Sequence, residues 1–189
     1  MRLISFEDLR AVPWKNGGGV TRELYSYPAA ASFDDFLWRV SIADVTRSGA
    51  FSSFPGVDRV ITLLEGDGMQ LLSASGEHVS LMRLQPHRFR GEEQVSAQLD
   101  GAACLDFNLM LRRGAAIGAV EVWHADQDLP RGCDLLFCVQ GRWDVLTESG
   151  ERITLEQRQT LLNEDKAGGM SLRSLQAGSI VISVSINLL

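Results

Sequence analysis

Arginines stand at positions from which extended strands would send them to one face together with hydroxyl, amide and carboxyl groups. Arg39 lies two residues before Ser41, Arg59 two before Ile61, and Asp106 two before Asn108. Period-two spacing keeps each pair on one side of a strand, and in a small barrel that side is the lumen. The segment Pro13-Trp14-Lys15-Asn16-Gly17-Gly18-Gly19-Val20-Thr21-Arg22-Glu23 adds Lys15, Asn16, Thr21 and Glu23. Such a set makes a pocket of two or three cations, amide donors and one or two carboxylates, which suits a small carboxylate ligand. The planar fork of arginine takes a carboxylate bidentately, and one charge-assisted hydrogen bond contributes about 1.5–3 kcal/mol. Trp14 and Trp38 offer apolar wall. The same residues have other uses. Arg39, Arg59 and Asp106 would also form a structural ion-pair network, since buried arginines require carboxylate partners. Glu23 or Asp106 would act as general acid or base if burial raised its pKa, giving a metal-free isomerase, lyase or hydrolase. Asn16, Thr21 and Asn108 can satisfy backbone groups at strand ends.

Three adjacent glycines free the backbone for positive φ or for close approach to another group. Beside them Lys15, one of two lysines against sixteen arginines, offers a compact charge with freely rotating donors. The run lacks the Lys-Ser/Thr of a P-loop and the spacing of a dinucleotide fingerprint. There is no Gly-x-Ser-x-Gly elbow either.

The elements that must carry these groups read as β throughout. Short apolar segments of period two are broken every eight to twelve residues by Gly, Asp, Asn, Ser or Pro, the pattern of a sandwich or barrel. From Leu37 to Val45 the alternation sets Trp38, Val40 and Ile42 on one face and Arg39, Ser41 and Ala43 on the other. Strands follow over Arg59–Glu65, Met69–Ala74 and His78–Leu84, turned at Gly66-Asp67-Gly68 and Gly76-Glu77. The second half repeats this punctuation: Gly66 matches Gly141 at an offset of 75, Gly76 matches Gly150 at 74, and Gly101 matches Gly178 at 77. A repeat of that size holds one small barrel, so two packed barrels are expected, residues 1–113 and 114–189, joined around 111–119. Helix is confined to a brief turn capped by Ser5 and another over Gln157–Asp165.

At 189 residues the chain can bury a sizeable core. Its net charge of −6 argues against nucleic acid and anionic membranes as partners. The first residues meet charge at once and form no secretory h-region, and the uncharged stretch Ser174–Leu189 is too short and polar to span a bilayer; a cytoplasmic protein is expected. Cys104, Cys133 and Cys138 fit reduced, buried thiols. The terminal strand Ser179–Leu189 can pair within its own barrel or with a second copy, which makes a homodimer possible.

Four ordered motifs resemble the HutD/Ves family: Trp14 to Glu23, Phe36-Leu37-Trp38-Arg39-Val40-Ser41-Ile42-Ala43, Gly49 to Arg59, and Asp106-Phe107-Asn108-Leu109-Met110 with Arg113. The resemblance implies a duplicated cupin, a bicupin of RmlC-like jelly-roll barrels, associated with histidine utilisation or, under the Ves name, with stress. Most cupins mount a metal on a His-x-His pair with a glutamate and a further histidine. Here the only histidines, His78, His87 and His124, are widely spaced, so neither metal nor cofactor is expected. The expectation is a metal-independent sensor or regulator that binds a small acid such as urocanate or N-formylglutamate. A metal-free enzyme on a similar acid and a stress-related interaction protein are the alternatives.

Overall fold

The computed structural model describes residues 1–164 and 168–189. In chain order the strands are β1 (Arg2–Ser5), β2 (Ala11–Pro13), β3 (Gly19–Tyr27), β4 (Trp38–Val45), β5 (Gly49–Ala50), β6 (Val57–Glu65), β7 (Met69–Ser73), β8 (His78–Leu81), β9 (His87–Arg90), β10 (Val95–Leu99), β11 (Cys104–Arg112), β12 (Ala116–Trp123), β13 (Gln127–Leu129), β14 (Cys133–Gln140), β15 (Arg142–Thr147), β16 (Arg152–Glu156), β17 (Gln159–Leu162), β18 (Met170–Ser174) and β19 (Ile180–Leu188). Helix is limited among the described residues to one 3-10 turn, Phe6–Asp8, and Ser5 makes no side-chain cap to it. The turn expected after Gln157 is strand β17 instead, because Thr160 and Leu161 pair with β14 on one side and β1 on the other; Asp165 lies outside the described residues. No helix among them is long and apolar enough to cross a membrane.

The residues divide into two compact units. The first, Arg10–Ala116 with Leu189, stacks a six-stranded sheet, β2-β3-β4-β11-β6-β9, on a four-stranded one, β5-β10-β7-β8. Ala43 and Val45 of β4, Ile61 and Leu63 of β6, and Cys104 of β11 meet Met69, Leu71, Leu81, Val95 and Ala97 across the stack. Each fully buried aliphatic side chain there contributes roughly 1.5–3 kcal/mol. β4, β6 and β11 are buried on both faces, which is why they read as nearly continuous apolar runs. The glycine run closes the turn between β2 and β3. A Cβ on Gly19 would stand 2.5 Å from the Asp44 carbonyl oxygen, so only glycine lets this turn lie against the end of β4.

The second unit, Met1–Leu9 with Ile117–Leu188, stacks β1-β17-β14-β19-β12 on β13-β18-β15-β16. β1 pairs with β17 from Arg2↔Leu162 to Ser5↔Gln159. Phe6 then anchors the segment: its N–H donates to the Arg158 carbonyl at 3.0 Å, and its ring lies under the Arg158 guanidinium. The first nine residues thus cluster with the second half of the chain rather than with residues 10–113. Strand order is the same in both units, β4-β11-β6-β9 against β12-β19-β14-β17 and β5-β10-β7-β8 against β13-β18-β15-β16. The expected closed barrels are stacked pairs of sheets. At one edge of each small sheet the outer strand, β5 or β13, is two or three residues long, too short to carry hydrogen bonding round to the larger sheet.

Candidate functional site

Register in the six-stranded sheet decides which side chains meet. Arg39 of β4 and Arg59 of β6 both stand opposite Met110 of β11, and Phe89 of β9 stands opposite Arg59. The next row is Glu23, Ser41, Asn108, Ile61 and His87. Directly opposed residues project to the same face, and this face carries Ala43, Ile61 and Leu63, so the polar groups lie between the two sheets. Of the sequence-predicted residues, Glu23, Arg39, Ser41, Arg59, Asp106 and Asn108 are brought together there.

Arg39 is neutralised. Its Nε donates to Glu23 Oε2 at 2.6 Å and its Nη1 to Ser41 Oγ at 3.1 Å, while Glu23 Oε1 accepts from Ser26 Oγ at 2.9 Å. Arg59 differs. It is 8% exposed, no carboxylate among the described residues lies within 4.0 Å of it, and its Nε has no hydrogen-bond partner. Its one side-chain hydrogen bond runs from Nη2 to Asn108 Oδ1 at 2.9 Å. Three phenyl rings surround the guanidinium, with its carbon 4.8 Å from the centroid of Phe89, 5.3 Å from Phe51 and 5.7 Å from Phe54. Burial lowers Arg59 to about 10, with Asp106 opposing and Arg39 adding to the shift, so it stays a cation at neutral pH. Asp106 is 1% exposed. Its Oδ1 accepts from Asn108 Nδ2, and burial, against the pull of Arg59 and Asn108, pushes its carboxyl up to about 7.

The loop between β3 and β4 covers part of this face. Phe33 lies over the Arg39 guanidinium at 4.9 Å and against Phe54 at 5.5 Å. Arg112 holds the loop by donating to the carbonyls of Phe33, Asp34 and Phe36 at 3.1, 3.0 and 3.4 Å. A cleft of about 220 Å³, lined by Leu71, Val79, His87, Phe89 and Val95 among others, opens beside the same Phe89 that lies against Arg59.

The other predicted residues lie apart from the Arg59 guanidinium. Lys15 is exposed on the glycine turn. Asn16 Oδ1 accepts from the Gly18 N–H at 2.9 Å and shapes that turn. Thr21 Oγ1 accepts from Trp14 Nε1 at 2.7 Å. Trp14 then abuts Phe51 edge-on at 6.2 Å, so it supports the aromatic enclosure from behind. Trp38 is on the opposite face of β4 from Arg39 and packs on Tyr25 and Tyr27. Sequence reasoning did not single out Phe33, Phe51, Phe54 and Phe89. Phe51 and Phe54 stand inside the motif ending at Arg59, and Phe89 alternates with His87; their common target shows only once β6 and β9 are paired.

Cupin-type metal binding does not fit this face. Beside two guanidiniums, an amide, a hydroxyl and a thioether it carries the carboxyls of Glu23 and Asp106 and the imidazole of His87, but Glu23 is engaged by Arg39 and no group of three His, Cys, Asp or Glu among the described residues is arranged to hold a metal ion.

A family model described as HutD matches residues 6–182. The chain belongs to the HutD family. Protein Ves from Escherichia fergusonii is 39% identical over 150 residues, 75% of this chain and 76% of that relative. An uncharacterized 21.2 kDa protein in the hutC 3′ region of Pseudomonas putida is 44% identical over 110 residues, 58% of this chain and 57% of its own. The structure of HutD from Pseudomonas fluorescens SBW25, in a formate condition, superposes with a TM-score of 0.85 at 32% identity, covering 100% of this chain and 98% of that one. At the level of fold alone, a cupin 2 conserved barrel domain protein from Leptotrichia buccalis matches with a TM-score of 0.61 at 7% identity, over 98% of this chain and 96% of its own. The HutD family fold in this chain is therefore all-β and cupin-like.

Proposed function

We propose that this HutD-family chain binds a small carboxylate between the sheets of its Arg10–Ala116 unit, without a metal, and serves as a sensor or regulator linked to histidine utilisation. The carrying observation is Arg59, a buried cation with no carboxylate within 4.0 Å among the described residues, an unpartnered Nε and three phenyl rings around it. Burying a cation without a carboxylate in direct contact is costly, and an incoming carboxylate that accepts from the free Nε supplies both the ion pair and the missing hydrogen bond. The hut-region name of the Pseudomonas putida relative makes urocanate and N-formylglutamate the first ligands to try. The shared strand order of the units supports the bicupin reading, with one copy keeping the site.

Calorimetric titration with urocanate, N-formylglutamate, glutamate and formate tests the proposal. Saturable binding to the wild type and none to a folded Arg59→Ala variant is the expected result. Normal binding by that variant sinks the assignment. The raised carboxyl of Asp106 favours a second reading, a metal-free enzyme acting on a similar acid with Asp106 as its acid–base group. Product analysis of each mixture separates the two, since turnover that disappears in Asp106→Asn belongs only to the enzyme.

A further inference from the structure

Arg59 and Asp106 are each other's nearest compensation, held apart by a single amide. Arg59 Nη2 donates to Asn108 Oδ1, and Asn108 Nδ2 donates to Asp106 Oδ1. Both end groups are buried, and no cation among the described residues lies within 4.0 Å of Asp106. Around Asp106 stand Arg59 from β6 and Asp44 from β4, the second a like charge; Cys104 is on its own strand, and Asp67 and Asp100 from the neighbouring turns act on Cys104. Arg39, also from β4, acts on Arg59. The register neighbours of Asp106, Ala43 and Leu63, are apolar, as are Met69, Leu71 and Ala97 of the facing sheet, which pack on them. While the site is empty, the Asp106 carboxylate is the charge that offsets Arg59. A carboxylate bound at Arg59 takes that role, and Asp106 becomes a surplus buried anion beside a second negative charge.

We infer that arrival of a carboxylate at Arg59 drives uptake of a proton from the buffer onto an Asp106 oxygen, so that ligand occupancy and protonation of Asp106 are coupled; this rests on the carboxylate-binding reading of the same site. Arg59 stays a cation and the ligand stays ionised, so neither of them supplies or takes up this proton. By reciprocity, whatever the ligand does to the proton affinity of Asp106, protonation does to ligand affinity. The sign follows. The protonated site binds better, so affinity is flat below the range in which free Asp106 titrates and falls above it, by up to about tenfold per pH unit, until the bound-state titration is passed. Cell acidity and metabolite level would then be read by one site.

Formate is the probe. Its dissociation constant is measured by calorimetry from about pH 6 to 9, with proton uptake taken from buffers of different ionisation enthalpy, on the wild type and on Asp106→Asn. The wild type is expected to weaken by about tenfold or more between pH 6.5 and 8.5 and to take up a fraction of a proton near pH 7.5, while Asp106→Asn binds with a flat profile and no uptake. The Asp106 carboxyl carbon, followed by 13C NMR in labelled wild-type protein, should shift toward the protonated form when formate is added, a readout that needs no variant. Formate binding with a flat wild-type profile and no proton uptake overturns the coupling and leaves the carboxylate site standing. A slope that survives in Asp106→Asn assigns the proton to another group, His87 first, and also overturns it. No binding of formate, urocanate or N-formylglutamate at any pH removes the site itself.

Discussion

Replacing Asp106 with asparagine keeps the acceptor for Asn108 and removes a charge that burial disfavours. In the folded state the Asp106 carboxyl titrates at about 7, above the ordinary aspartate value of 3.8, so the native protein binds this proton more tightly than the unfolded chain. Stability from this group is therefore complete at low pH and is lost as pH rises toward 7. Asp106→Asn should accordingly be more stable than wild type at pH 8, by up to roughly 4 kcal/mol at about 1.4 kcal/mol per pH unit, and by only about 1 kcal/mol at pH 4.5. Thermal melts at the two pH values check this, and equal destabilisation at both would refute it. At this scale the sequence was informative about polar groups and silent about their surroundings. Arg39, Ser41, Arg59, Asp106 and Asn108 share a face by strand alternation alone. That Glu23 neutralises Arg39 and leaves Arg59 unpaired depends on the irregular pairing of β3 with β4 between Glu23 and Tyr25, and no local pattern reveals it.

At the scale of elements, the turn after β9 positions Phe54. The Gly91 N–H donates to the Val57 carbonyl and its own carbonyl accepts from Phe54 N–H, both at 2.7 Å. A Cβ on Gly91 would stand 2.5 Å from the Phe54 carbonyl oxygen and 2.8 Å from that of Val57. Gly91→Ala should cost about 1–3 kcal/mol and weaken carboxylate binding, because Phe54 is pushed from Arg59. Gly76→Ala is the control. Its φ of +88° makes alanine strained, but nothing lies within 4 Å, so stability should fall by about 1 kcal/mol with binding unchanged. Denaturant melts and formate titration of the pair check both statements; equal binding by the two would separate Phe54 from the site. The triple glycine shows what the sequence leaves open. Glycine announces a close approach, yet here the group approached is the chain's own β4.

Over the whole molecule, the two units share their turns and differ in what fills them. Gly66 and Gly141 both take positive φ and face Cys104 and Ser179, and Gly76 and Gly150 adopt φ of +88° and +87°, so the punctuation that was legible in the sequence is a repeat of backbone geometry. The chemistry does not repeat. Seventy-five residues beyond Arg59 stands Asp134, whose Oδ2 accepts from the Ile186 N–H at 2.7 Å, and the interior of that unit is closed by Trp143 and apolar neighbours, with Trp123 packed against them. One carboxylate should therefore bind per chain. A calorimetric stoichiometry of two, or residual heat in Arg59→Ala, would contradict this. Pairing of β1 with β17 carries a consequence for biosynthesis. Ser5 meets Gln159, 154 positions later, so at 5–20 residues per second the first strand emerges roughly 8–30 s before its partner exists. The strands of the site-bearing unit, which run up to Arg112, are made long before then, so that unit can fold on the ribosome while β1, which belongs to the other unit, still waits for β17.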